Sequence, residues 1–347
     1  MGSQALGALV LAAGEGRRLE PLTAEIPKPL LPVLGRSILE HTLDTLVDAG
    51  VRTLAINLHH LGERIAERIG PAFRDIPIHY SPEPQLLGTG GALVPLRELL
   101  APADTVVVVN GDSLCRWPLA QVLRQHHKRR PDATLLLSRR ADPARYGGGV
   151  GVDRDGRVVS LLPGESFGEV RRRRVFAGLH LLHPALLARL PPGPSDSVRD
   201  LYRPLLAEGR TLLGVESGRP WLDLGMPGRY LAGVLGAAAR SGGNRLQPGG
   251  NWVAADARVG RGARLRRVVV EAQAEVASGA RLERVLVLPG ARVPGDAVLR
   301  EVIVGPGAEL PDGTVIAGQL ITRQLPGVLP PVRSSRLAGL VYTPLVP

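Results

Sequence analysis

The sequence predicts a doubly wound, mostly parallel α/β sheet followed by a parallel β-helix. Three observations carry this. Apolar runs alternate with amphipathic segments through the first 240 residues. The run Gly7–Ala13 (GALVLAA) passes directly into a glycine-rich turn. From residue 259 the chain repeats itself every 17 residues.

The run at 7–13 is apolar without alternation, as a strand buried on both faces must be. Residues 37–49 place apolar side chains at helical spacing behind Ser37, and Gly50 stops them. The same reading gives strands at 51–58, 77–81 and 104–112, and helices at 62–70, 90–100 and 119–130. Strands then follow at 133–138, 175–182 and 211–217, and helices at 197–209 and 227–240. Alternation at this spacing indicates helices on both faces of one sheet. The repeats read VGRGARLRRVVVEAQAE, VASGARLERVLVLPGAR and VPGDAVLREVIVGPGAE, with LPDGTVIAG opening a fourth. An aliphatic residue opens each, another follows six positions later, and Gly or Asp stands at the corners, as in a stacked coil of short strands. The expected division is a domain at 1–240, a β-helix at 251–320 and an irregular, proline-containing tail at 321–347. A β-helix ends in an open sheet edge, so self-association through the repeats is expected.

Composition narrows the function. Hydrophobic residues make up 44% and charged residues 22%, which excludes a mainly disordered chain. The single Cys115 excludes an intramolecular disulfide and a cysteine-rich zinc site. The net charge of +11 raises the possibility of nucleic acid, but aromatics are only 3% and the basic residues are scattered, so no nucleic-acid partner is expected. No apolar run approaches the ~18 residues of a membrane span. The N-terminal apolar stretch lacks a basic segment before it and reads as a strand rather than a leader. A soluble cytoplasmic protein is expected.

The chemistry is concentrated in Leu11-Ala12-Ala13-Gly14-Glu15-Gly16-Arg17-Arg18-Leu19-Glu20-Pro21-Leu22-Thr23 and Pro27-Lys28-Pro29. A strand running into Gly14-x-Gly16 lets backbone N–H groups approach a polyphosphate closely. Arg18 can fork onto phosphate oxygens. Lys28, between two prolines, presents its ammonium from a stiff loop. In Val106–Asp112 an apolar strand delivers Asp112, a hard oxygen ligand, to the carboxyl edge of the sheet.

The spacing G-x-G-x-R-L-x-P-L-T…P-K-P resembles the signature of the sugar-1-phosphate nucleotidyltransferases, the nucleoside-diphosphate-sugar pyrophosphorylases. The resemblance covers about residues 1–320. It implies a Rossmann-like nucleotidyltransferase domain, a left-handed β-helix, and transfer of a nucleotidyl group from an NTP to a sugar 1-phosphate with release of pyrophosphate. Arg18 and Lys28 would then be catalytic. Ala12, Ala13, Gly14, Gly16, Gln85, Gly88, Thr89 and Gly111 would bind the nucleotide. Asp112 and Asp223 would hold Mg²⁺, the latter in Trp221-Leu222-Asp223-Leu224-Gly225-Met226-Pro227, where Met226 departs from the family's Thr. Tyr146, Gly147 and Gly178 would face the sugar. Gly90 and Gly91 leave room at the base and look most like guanylyltransferases, and a C-terminal β-helix is common in mannose-1-phosphate guanylyltransferases. GTP and mannose 1-phosphate are therefore the expected pair. Uridylyl, thymidylyl or adenylyl transfer and a non-catalytic regulatory subunit are the alternatives. The family's Glu-Lys-Pro lysine is missing near Leu161-Leu162-Pro163, and the run Arg171–Arg174 is a possible substitute cation.

Overall fold

The structure is a computed structural model that describes residues 5–115, 117–241 and 246–345. Residues 1–4 of the expected first domain and 346–347 of the expected tail lie outside the described residues. By packing, the chain forms two compact units, Met1–Gly14 with Leu39–Trp221, and Glu15–Ile38 with Leu222–Pro347. The signature segment 15–38 therefore folds with the C-terminal elements, across the division at 240 expected from the sequence.

The first unit is built on a mixed sheet. Its strands are β1 (Leu6–Leu11), β2 (Val51–Leu58), β3 (Ile76–Pro82), β4 (Thr105–Asn110), β5 (Ala133–Ser138), β6 (Val150–Val152), β7 (Val158–Ser160), β8 (Arg172–Leu182) and β9 (Leu212–Ser217). The path runs β7-β6-β8-β4-β1-β2-β3, with β5 on β8 and β9 on β5. Strands β4, β1, β2 and β3 are mutually parallel, whereas β8 is antiparallel to β4, β5 and β6. The apolar runs of β1 and β4 are buried up to their last residue, which is why neither alternates. Helices α1 (Ile38–Asp48), α2 (Gly62–Ile69) and α3 (Leu119–Arg129) stand where the periodicity predicts them. The helix expected at 90–100 is instead broken into Gly88–Gly91, Val94–Leu96 and Arg97–Leu100. Glycine costs helix entropy and Pro95 lacks the N–H an uninterrupted helix needs. The helix expected at 197–209 begins as a π turn, Val198–Tyr202, and continues as Arg203–Ala207.

In the second unit the period is confirmed strand by strand. Arg264 pairs with Arg281, Arg281 with Val298 and Val298 with Val315; Val269 pairs with Leu286 and Ile303 with Leu320. Each step is 17 residues and every pairing between coils is parallel, giving the left-handed hexapeptide-type β-helix. Its interior is filled by Val270, Val287 and Val304 on one wall and by Leu282 and Leu299 on another, with Ala274, Ala291 and Ala308 near the turns. The corners are less uniform than Gly or Asp. Gly250, Arg267, Arg284, Glu301 and Gly318 occupy one corner, all in the left-handed region. For the three residues with side chains this costs roughly 1–2 kcal/mol each. An ion pair between Arg284 and Glu301 at 2.8 Å links two of these corners.

Within its described residues the tail forms two strands. Leu340–Pro344 runs antiparallel to Gln319–Arg323 and to Ser335–Leu337. One edge on which self-association is expected is thus paired by the chain itself, whereas Val315–Ala317 on another wall pairs only with the coil before it. A helix α4 (Pro227–Ser241) belongs to this unit and buries Tyr230 completely. No helix among the described residues is long and apolar enough to cross a membrane.

One buried group makes stability depend on pH. His180 on β8 is buried, hydrogen-bonded to the Tyr202 hydroxyl and edge-on to Phe176. Burial lowers its pKa to about 3. The unfolded chain protonates this residue near 6.5, so between these values the unfolded state binds more protons. Stability therefore falls as pH drops below 6.5, by up to about 1.4 kcal/mol per pH unit from this residue. Urea titrations at pH 7 and pH 5 should show a shallower loss in His180→Leu than in the wild type; an equal loss in both would refute the assignment.

Candidate active site

The carboxyl edge of the first unit's sheet gathers many of the expected residues. Leu11, Asn57 and Asn110 stand in register on β1, β2 and β4. Ala12, Ala13 and Gly14 leave the sheet beside Gly111 and Asp112, and the Gly111 N–H donates to the Leu11 carbonyl at 2.9 Å. Gly14 is exposed, with nothing within 4 Å of where a side chain would start, so a ligand can reach this backbone. Gly111 is close-packed: a Cβ would lie 2.9 Å from Val10 and 3.0 Å from the Leu11 carbonyl. Asp112 is half-buried.

A polar network missing from the sequence expectations orders this edge. The Ala12 N–H donates to Asn57 Oδ1 at 2.7 Å, so it is already satisfied within the protein. Asn57 Nδ2 donates to Glu83 Oε1 at 2.8 Å, and the Leu87 N–H donates to Glu83 Oε2 at 2.9 Å. Asn57 and Glu83 are both buried, and buried polar groups persist when satisfied in this way. The only local signal was a polar residue in the apolar strand LAINL.

The glycines of Gln85–Ala92 pack tightly against the backbone of residues 193–195. Gly88 has φ 74°, and a Cβ there would lie 2.6 Å from the Ser195 carbonyl. At Gly91 a Cβ would lie 2.5 Å from the Gly193 carbonyl. The Gly90 and Gly91 N–H groups both donate to Ser195 O. Their smallness is required by the 193–195 backbone, so Gly91 gives no measure of room at a base. Thr89 is also engaged, its hydroxyl bonded to Asp196 at 3.1 Å and accepting from the Ser197 N–H at 2.9 Å. Gln85 is exposed.

On the other side of β4, Gly178 interrupts the pairing of β8 with φ 72°, where a Cβ would meet Asn110 at 3.1 Å. Tyr146 lies against Trp221 with ring centroids 5.2 Å apart, followed by Gly147 in the left-handed region. Trp221 Nε1 is buried without an acceptor among the described residues. Each arginine of the Arg171–Arg174 run has a partner within the protein. Arg172 and Arg174 both bind Glu216, at 2.5 and 2.9 Å, and Arg173 binds Gly149 O and Ser160 Oγ, each at 3.1 Å. Arg171 pairs with Glu169 at 3.2 Å. Burial pushes the Glu216 carboxyl up, but the two guanidiniums outweigh it and hold it below the usual range.

The second unit carries the charged cluster. Segment 15–38 turns through three short 3-10 elements, Arg17–Leu19, Leu22–Ala24 and Lys28–Leu30. Gly16 has φ 68°, and a Cβ would crowd Thr23 at 3.0 Å and Lys28 at 3.3 Å. Thr23 Oγ1 donates to the Gly16 carbonyl at 3.0 Å and pins the loop. Lys28 is only 5% exposed, whereas Arg18 is exposed. Both reach the backbone of Gly225. A Cβ built on Gly225 would lie 2.8 Å from Asp223 Oδ1, 3.0 Å from Arg18 Nη2 and 3.4 Å from Lys28 Nζ. Three residues selected from two motifs thus converge on one glycine, itself part of the W-L-D-L-G segment. Asp223 accepts from the Gly225 N–H at 3.0 Å and pairs with Arg229 at 2.5 Å.

Against this geometry, comparisons with known proteins are specific. Residues 7–238 match the nucleotidyl transferase family model, and residues 247–320 match the GlmU-like C-terminal hexapeptide model. The chain belongs to the nucleotidyl transferase family. It is similar to the mannose-1-phosphate guanylyltransferase of Mycobacterium tuberculosis, at 33% identity over 67% of this chain and 65% of that one. It is also similar to the mannose-1-phosphate guanylyltransferase catalytic subunit beta of Drosophila pseudoobscura pseudoobscura, at 29% identity over 65% of this chain and 61% of that one. The chain thus spans somewhat under two thirds of these relatives' length. The crystal structure of HddC from Yersinia pseudotuberculosis shares the fold, with a TM-score of 0.55 and 22% identity over 66% of this chain and 97% of that one.

Members of the nucleotidyl transferase family generally use a divalent metal. Among the described residues no group of three or more His, Cys, Asp or Glu side chains could hold one. Asp112 and Asp223 are hard oxygen donors, and a carboxylate keeps lone pairs free beyond two hydrogen bonds. Each carboxylate taken by itself fits a metal otherwise held by substrate phosphates and water, as Mg²⁺ is commonly bound.

The Gly225 cradle can be tested directly. The atoms that a methyl would meet are the ends of side chains: the exposed Arg18 can swing away, Lys28 is at ordinary contact distance, and Asp223 Oδ1 must shift by a few tenths of an ångström. Gly225→Ala should weaken inorganic pyrophosphate binding about 10–100-fold by calorimetry, the scale of one lost charged hydrogen bond, with the melting temperature nearly unchanged. Undiminished binding would show that the cluster is not a phosphate site.

Proposed function

We propose that the protein transfers a guanylyl group from GTP to mannose 1-phosphate, giving GDP-mannose and pyrophosphate. The observation that carries the nucleotidyl transfer is the convergence of Arg18, Lys28 and Asp223 on Gly225. In this reaction a phosphate oxygen of the acceptor, already anionic near pH 7, attacks the α-phosphorus. A new P–O bond forms, the α–β anhydride bond breaks, and its electron pair leaves with pyrophosphate. No proton needs removing from the nucleophile, so no general base is required. The demand is positioning and stabilisation of charge on the α-phosphate and the leaving group.

Arg18 clamps the phosphates, and Lys28, stiffened by Pro27 and Pro29, meets the charge that develops in the transition state. Asp112 and Asp223 would each offer a carboxylate to Mg²⁺, which would neutralise triphosphate charge. Ala13, Gly14, Gly16 and Gly111, with the exposed Gln85 and Gly88, bind the nucleotide. Ala12 and Thr89 belong to the same binding segments through their backbone position. Tyr146, Gly147 and Gly178 border the sugar, where Trp221 Nε1 is a donor in need of an acceptor. The guanine and mannose assignment is supported by the names of the relatives, and no longer by the smallness of Gly91. We place the protein in the cytoplasm, with its phosphorylated substrates.

Purified protein with Mg²⁺ and a matrix of four NTPs against glucose, mannose, N-acetylglucosamine and muramate 1-phosphates should release pyrophosphate fastest with GTP and mannose 1-phosphate. Turnover in another cell of the matrix would replace the substrate pair. Silence throughout, with thermal stabilisation by an NDP-sugar, would instead identify a regulatory subunit. The partly exposed Val298 and the exposed Val315 lie side by side on one β-helix wall, and we assign self-association to that wall. Light scattering at micromolar concentration should give more than the monomer mass, and a monomer would refute this.

A further inference from the structure

Glu271 does not fit the logic of the repeats. Seventeen residues on either side of it stand Ala254 and Leu288, both buried, followed by Gly305. Glu271 is itself fully buried at the same place in its coil. Burial pushes its carboxyl up to about 7, against the pull of two backbone N–H bonds. A carboxylate kept in so unfavourable a place, where an apolar residue serves the neighbouring coil, points to a role other than holding the coil together.

Its two oxygens are both occupied by a turn in the signature segment. The Leu34 N–H donates to Oε1 and the Gly35 N–H to Oε2, each at 2.8 Å. The turn joins two short paired strands, Pro32–Val33 and Arg36–Ser37. Leu34 has φ 56° and Gly35 φ 83°, the pattern of a type I′ hairpin turn, which is unfavourable for leucine. The bidentate carboxylate compensates by binding both turn N–H groups. Two neighbours complete the seat. A Cβ on Gly35 would lie 3.3 Å from the Trp252 ring, and the Tyr230 hydroxyl, the titratable group facing Glu271, donates to the Pro32 carbonyl at 2.7 Å.

The path from this seat to Lys28 is short and stiff. Lys28 opens the 3-10 element that ends at Leu30, the Leu31 N–H donates to the Lys28 carbonyl, and the Ile38 N–H donates to the Leu31 carbonyl. Pro29 and Pro32 remove backbone freedom between them. We propose that Glu271 is a positioning residue for Lys28, by which the first coils of the β-helix hold the phosphate-binding loop in its working geometry. This rests on the nucleotidyl-transfer reading for its kinetic consequence.

The test uses the full chain with Glu271→Leu, the residue of the next coil, and Glu271→Gln, which keeps one acceptor. Glu275→Gln, half-buried in the same coil and paired with Arg258, serves as the control and should retain wild-type kcat. Glu271→Leu should lower kcat about 10–100-fold, the scale of a small misplacement of a catalytic group, with KM for the NTP within about twofold. Glu271→Gln should fall between Glu271→Leu and wild type, and it replaces Glu271→Leu should that variant not fold. In a Lys28→Ala background the Glu271 substitution should cost little more, because the group it positions is gone. A full additional loss in that background, or an unchanged kcat in the single variants, overturns the proposal. Hydrogen exchange provides the arm that does not depend on turnover. Amides of residues 28–38 should exchange at least about 10-fold faster in the Glu271 variants, with those of 281–304 unchanged, and equal protection at 28–38 overturns the clamp. If the wild type turns over no substrate pair, the nucleotidyl-transfer reading fails and the exchange result alone decides the clamp.

Discussion

Two positive side chains and a carboxylate lie within a methyl group's reach of the backbone at Gly225. Like charges so close repel, and a lysine so nearly buried loses hydration. The surrounding structure is arranged to hold them in spite of this. The two prolines around Lys28 remove the freedom by which it could retreat. Thr23 ties the loop at Gly16, while Asp223 is fixed from both sides by the Gly225 N–H and Arg229. None of these contacts is strong alone. Together they turn a costly arrangement of charge into a preformed receptor for anionic oxygen, in which little reorganisation is left for the moment of reaction.

This places the signature segment with the C-terminal part of the chain. It is held at the Pro32 carbonyl by Tyr230, at the 34–35 turn by Glu271 and at Glu25 by Arg323. The first unit offers a different kind of order, a sheet edge where parallel strands end in register and where the Asn57–Glu83 network ties one emerging loop to the next. Glycine is needed at Gly88 and Gly91 by the backbone of residues 193–195, and at Gly178 by Asn110 across the strand.

Much of this was legible from local pattern. The runs Leu6–Leu11 in β1 and Val106–Val109 in β4 are apolar without alternation because both faces are covered, and the coils repeat because each strand must match the one 17 residues away. The motif around Arg18, Lys28 and Asp223 was legible as a resemblance, and the three do meet. What could not be read were contacts between distant segments, which leave no period. Nothing near Arg172 and Arg174 announces Glu216, and nothing near Gly91 announces Gly193. Glu271 was visible as an odd residue in a repeat, but its meaning lies 236 positions upstream. The broken helix at 88–100 is different, because Pro95 and the three glycines were in plain view and helical spacing was given too much weight against them.

The constant coil length has a genetic corollary. Because each coil is seventeen codons and stacks on its neighbour by the same pairing, an in-frame duplication or loss of one such block leaves every remaining register intact. The stack can therefore change height by unequal recombination without redesign. It can do so only in its middle, since the first coils carry the Trp252 and Glu271 contacts to the signature segment and the last is closed by the antiparallel strand Leu340–Pro344. Related chains should differ in the number of central coils sooner than in the coils at either end.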